Sequence, residues 1–154
     1  MEQAGKAATH LALAWRATYG RNPNSGQAYG EAIKAVEAAA QPIVLPEDAK
    51  TTLEKMIAAI RDAPQKWKSA LPDGVEAVRS MMLALWTGQH DRHGSADESL
   101  PLTVSQQEAT AALHLAIVTC HWLQNGSSSA GSTSPQRRAL ILFPLQLTPA
   151  ARME

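Results

Sequence analysis

Apolar positions recur along this chain at helical spacing, and Gly, Pro and Asn separate the runs. The first run spans about Lys6 to Tyr19, with Ala8, Leu11, Ala12, Trp15 and Tyr19 on one face. Gly20 and Asn22-Pro23 end it, because proline restricts the residue before it and cannot continue the ladder. A second helix is predicted from about Ser25 to Ala40, with Tyr29, Ala32, Ile33, Val36 and Ala40 as its stripe and Glu31, Lys34 and Glu37 off it. Pro42 and Pro46 bracket Ile43-Val44-Leu45, which reads as a short extended connector packed on the core. A third helix starts near Ala49 or Thr51, where Thr51 and Glu54 have capping-box spacing, and buries Leu53, Met56, Ile57 and Ile60. Trp67 reads as an anchor in the link that follows. The fourth helix runs from about Gly74 to Thr87, with Asp73 as N-cap, Val75, Val78, Met82, Leu85 and Trp86 inward, and Gly88 as its stop. The fifth opens on a second box, Ser105 and Glu108. Its stripe is Ala109, Ala112, Leu113, Ala116, Ile117, Cys120 and Leu123, and Asn125-Gly126 stops it.

These elements predict an all-α fold, a four- or five-helix bundle over residues 6–126. Abundant alanine agrees, being the best helix former and small enough for close helix approach. Residues 127–154 are expected to form a low-complexity linker and tail, disordered or weakly docked. Gly126 to Ser134 is rich in Gly, Ser and Thr, and Arg137-Arg138 precede an apolar run broken by Pro144. The charge balance of 14 basic and 14 acidic residues argues against a general nucleic-acid coat or a membrane-surface binder, while leaving room for a local basic site. The lone Cys120 excludes an internal disulfide framework. No apolar run has bilayer length and the N-terminus lacks a signal-peptide layout, so a cytoplasmic location and no membrane contact are expected. The first helix begins almost at Met1, which leaves an upstream domain as an expected partner.

Candidate chemistry concentrates in Gln89-His90-Asp91-Arg92-His93-Gly94, between the fourth and fifth helices. Histidine titrates near neutral pH and passes protons, and a guanidinium holds phosphate through its planar fork. His93, Arg92, His90 and Asp91 are therefore the candidate catalytic residues, with Gln89 and Gly94 at the substrate. Metal-free RNA cleavage needs such an acid or base, a phosphate clamp and room for the strand. A metal-dependent hydrolase using His90 and His93, completed by Asp91 or Asp97, is an alternative; the spacing is short and common, and no metal or cofactor is expected. The third reading is a solvated polar corner, with His90 at the C-terminal carbonyls of its helix and Asp97 and Glu98 as surface charges. His114 and His121 share a helix face and read as boundary residues. Trp15, Trp67, Trp86 and Trp122 read as core or boundary anchors rather than a stacking platform.

A helix ending near Trp86, a polar segment closing in His93-Gly94, and an Ala109-x-x-Ala112-x-x-x-Ala116 final helix form one pattern. Together with Ala-Trp-Arg at 14–16 and the stretch at 28–37, this resembles the C-terminal domain of bacterial abortive-infection proteins, in the HEPN superfamily. The resemblance covers about Ala8 to Gly126. It implies a helical bundle, often dimeric, associated with phage defence or toxin–antitoxin systems, so RNA, a second copy and an antitoxin are the implied partners. Catalytic members of that superfamily cut RNA without a metal, using an Arg a short stretch ahead of a His. His93-Gly94 matches the family's His-Gly. The upstream window holds Trp86, Thr87 and Gly88 instead of Arg, and the nearby guanidinium is Arg92. Either Arg92 takes over the phosphate role, or the domain is a non-cleaving relative that serves as a helical dimerisation or interaction module. In the second case the alanine-rich final helix is the expected dimer seam.

Overall fold

A computed structural model of the chain describes residues 2–93, 103–127 and 138–139. The architecture is all-α, a bundle of five helices: α1 (Glu2–Tyr19), α2 (Ser25–Val44), α3 (Leu53–Asp62), α4 (Gly74–His93) and α5 (Gln106–Ser127). No helix among the described residues is long and apolar enough to cross a membrane. Helix α2 is the hub, packing against each of the other four. The large core side chains come from α2 to α5: Tyr29, Ile33 and Val36 of α2, Leu53, Met56 and Ile60 of α3, Val78, Met82 and Leu85 of α4, and Leu113 and Leu123 of α5. The α1 side is built instead from small residues, and Ala17, Ala28 and Ala109 meet where α1, α2 and α5 converge. Small side chains at such a crossing let the helix axes approach closely.

The buried face of α1 differs from the expected one. Ala7, Ala14, Ala17 and Thr18 are buried, whereas Trp15 and Tyr19 are 52% and 48% exposed. The two candidate stripes lie about a third of a turn apart on the helix, and both contain alanines. The aromatic weight of Trp15 and Tyr19 favours the outer stripe on paper. The close contact with α2 selects the inner one, because an indole does not fit between helices spaced by alanine.

Helix α2 runs four residues past the expected end, straight through Pro42. The connector expected at Ile43-Val44-Leu45 is therefore helical as far as Val44. Proline in a helix interior costs on the order of 3 kcal/mol. Burying Ile43 and Val44, both in the core, stabilises by roughly 1.5–3 kcal/mol each and outweighs that cost. The end is then tied off by Gln41, whose Nε2 donates to the carbonyls of Leu45 at 3.1 Å and Pro46 at 3.2 Å. At the other end, Asn24 caps α2 by accepting from the Gln27 N–H at 3.0 Å.

Of the two expected capping boxes one forms. Ser105 N donates to Glu108 Oε2 at 2.7 Å, and Glu108 N donates to Ser105 Oγ at 3.2 Å. The Thr51–Glu54 box does not form. Helix α3 starts one residue later, with Thr52 in the cap position and no side-chain cap bond. Its first-turn Leu53 N–H donates instead to Glu37 Oε1 of α2, at 2.9 Å. A carboxylate from a neighbouring helix thus does the work of the local cap. Asp73 precedes α4 with φ 58, the left-handed region that Asp tolerates better than most residues. Its carbonyl accepts the first bond of the helix, from Ala77 N at 2.9 Å.

Trp67 is an anchor as expected, 6% exposed and part of the core. It belongs to a two-residue strand, β1 (Trp67–Lys68), which pairs in parallel with β2 (Arg138–Ala139). The rest of the expected tail lies outside the described residues.

Candidate functional site

Gly88 does not stop α4. The helix continues through Gln89, His90, Asp91 and Arg92 to His93. The reason lies on α2: Tyr29 Oη donates to the Leu85 carbonyl at 2.8 Å, and a β-carbon built on Gly88 overlaps that hydroxyl. Glycine is therefore required by the close approach of a tyrosine and not by a turn. The expected corner becomes the last turn of a helix, where His90 and His93 occupy positions three apart on one side. Gln89 is half-buried. The side chains of His90, Asp91, Arg92 and His93, together with Gly94, Asp97 and Glu98, lie outside the described residues.

Two polar clusters elsewhere were not legible in sequence. The first joins α1 to α2. His10 Nδ1 lies 2.6 Å from Glu31 Oε2, and Lys34 Nζ donates to Glu31 Oε1 at 2.8 Å. Glu31 itself is buried. Burial pushes its carboxyl up, but hydrogen bonds from Lys34 and His10 and their charges outweigh burial and hold it below the usual carboxylate range. With the folded value lowered, the stabilisation is complete above the ordinary value near 4.5 and is lost as the pH falls through the folded value below it. Urea midpoints measured from pH 7 down to pH 3 are expected to fall less steeply for Glu31→Gln than for the wild type. Equal acid dependence in both removes Glu31 as a source of acid sensitivity.

The second cluster is aromatic. Trp15 and Tyr19, one turn apart on α1, have ring centroids 4.7 Å apart and planes inclined at 55°. Tyr19 Oη lies 3.0 Å from Nε2 of His114 on α5. His114 thus meets the expectation of a residue at the edge of the bundle. So does His121, exposed and 2.8 Å from Asn125 Nδ2 through its Nε2. Trp86 and Trp122 are half-buried against the core.

A cleft of about 650 Å³ opens between the ends of α2 and α3. Its floor includes Val44, Ala59 and Trp67, and Glu47, Asp48 and Asp62 outnumber Lys66 on its walls. Asp48 is paired with Lys55 at 3.6 Å and Asp62 with Arg61 at 2.8 Å, which leaves the walls with little net charge. Cys120 is buried in the α5 stripe, and burial pushes its thiol up to about 12, far from a nucleophile's range. Among the described residues no group of three His, Cys, Asp or Glu side chains is placed to hold a metal.

The alanine seam expected for a dimer is occupied within the chain. Ala109, Ala112 and Ala116 are all buried, and α5 packs against α2. A second copy therefore requires another surface. Compared with family models, with curated proteins and with solved structures, the chain matches none.

Proposed function

We propose that this chain is an HEPN-like helical domain of a bacterial defence system, of the abortive-infection or toxin–antitoxin kind, that engages and cleaves RNA at the C-terminal turn of α4. The observation that carries the reading is the continuity of α4 from Gly74 to His93. Two histidines then stand three positions apart, with Asp91 and Arg92 between them, on one helix ahead of Gly94. His93 is the acid–base group and Arg92 the phosphate clamp, with His90 and Asp91 supporting them and Gln89 and Gly94 beside the strand. Such a site needs no metal: proton transfer by imidazole and charge neutralisation by guanidinium supply the chemistry of strand scission. The five-helix architecture is compatible with the family that the sequence resembles.

Purified protein incubated with structured RNAs in EDTA tests this. The wild type is expected to cleave, and His93→Ala to lose roughly a hundredfold or more of the rate, the usual worth of a positioned acid–base group. Cleavage equal in both proteins, or absent from both, overturns the catalytic reading.

A further inference from the structure

We propose that the exposed face of the last turns of α1, formed by Trp15, Arg16 and Tyr19 with Arg21 just beyond, is a binding platform for single-stranded RNA. The platform stacks bases on the two rings and pairs the guanidiniums with phosphates. The inference rests on the reading that the chain engages RNA, but it concerns a different part of the molecule from the α4 turn.

Four features point to this ligand. Trp15 and Tyr19 leave about half their surface open although α1 has a fully formed buried face of Ala7, Ala14, Ala17 and Thr18. Neither ring is needed to fill the core. Tyr19 is also held in place: its hydroxyl is bound to His114 and its ring packs on Trp15, so little side-chain freedom is lost when a base stacks there. Arg16 shares the face of Tyr19 at i, i+3, and both Arg16 and Arg21 are exposed with no ion-pair partner among the described residues. Finally, among the described residues the neighbouring elements carry little negative charge. Beside Arg16 and Lys6, α1 has one carboxylate, Glu2, and the facing helix α5 has one, Glu108, which is engaged in capping Ser105. Half-exposed aromatic rings beside guanidiniums with no ion-pair partner among the described residues match a base next to its phosphate, and the neutral net charge of the chain makes this a local patch rather than a coat.

Fluorescence anisotropy of a labelled, unstructured ten-nucleotide RNA titrated with the full chain tests the platform. Trp15→Ala and Tyr19→Ala are each expected to weaken binding roughly tenfold or more, the usual worth of one base–aromatic stack. Tyr19→Phe, which keeps the ring, is expected to stay within about threefold of wild type, and Leu83→Ser, at an exposed apolar position on α4, to match it. Arg16→Gln and Arg21→Gln are each expected to flatten the plot of log affinity against log salt by about 0.7. Circular dichroism of Trp15→Ala with unchanged helicity excludes unfolding as the cause. Equal affinity of wild type and Trp15→Ala overturns the proposal. So does a concentration-dependent mass in light scattering that Trp15→Ala abolishes without altering RNA affinity, since the face is then a seam between copies. The two proposals fail separately. RNA cleavage with Trp15-independent affinity leaves the α4 reading standing and removes the platform. Trp15-dependent binding without cleavage does the reverse.

Discussion

Gly88→Ala is expected to destabilise the wild-type fold by about 2–4 kcal/mol, combining an overpacked contact with a displaced buried hydroxyl. The same substitution in a Tyr29→Phe background is expected to be neutral or stabilising. The added β-carbon overlaps Tyr29 Oη, while the next ring atom, Cζ, lies at an ordinary 3.4 Å. Removing the hydroxyl therefore removes the clash. Alanine then replaces glycine in a helix interior, a change worth about 1 kcal/mol in favour of the helix. Tyr29→Phe alone forfeits the bond to the Leu85 carbonyl, about 1 kcal/mol. A thermodynamic cycle of the four proteins by urea denaturation measures the coupling. Additive effects of the two substitutions show that Tyr29 is not what demands glycine at 88.

Ala14→Leu is expected to destabilise by about 1–3 kcal/mol, and Trp15→Ala, its neighbour, by less than about 1 kcal/mol. The order is the reverse of what residue size suggests. Ala14 has no exposed surface and sits in the close contact of α1 with α2, so three more carbons have nowhere to go. Trp15 stands half in solvent, and truncating it opens no internal cavity. Paired urea unfolding curves decide the matter. A larger loss for Trp15→Ala than for Ala14→Leu restores the outer stripe as the buried face of α1.

The helices themselves were legible because their apolar positions keep a 3.6-residue period, and the Ser105–Glu108 box announced the start of α5. What stayed hidden has a common cause: the deciding group lies elsewhere in the chain. Gly88 reads as a stop until Tyr29 is seen against it. Pro42 reads as a boundary until the burial of Ile43 and Val44 is weighed against its cost. Thr51 reads as a cap until Glu37 takes the α3 N–H. The inner face of α1 was missed because alanine marks both stripes. The His10–Glu31–Lys34 cluster and the Tyr19–His114 bond join residues on different helices, with no local spacing to flag them. At the α4 turn the sequence supplied the residue types, and the backbone corrected only their setting, from a loop to a helix end.

The alanine lining of the α1 side also governs how the chain comes apart. Alanine contributes little apolar area, so α1 adds less to the core per buried residue than the helices that bring Leu, Met and Ile. The small cluster of Ala17 and Ala28 is completed by Ala109 and Val104, contributed from far along the chain. Because α2 also touches α3 and α4, no two helices hold an independent share of the core. The bundle is therefore expected to unfold as one cooperative unit: far-ultraviolet dichroism and tryptophan emission are expected to trace a single coincident transition, and an α1–α2 intermediate that survives the loss of α5 overturns this.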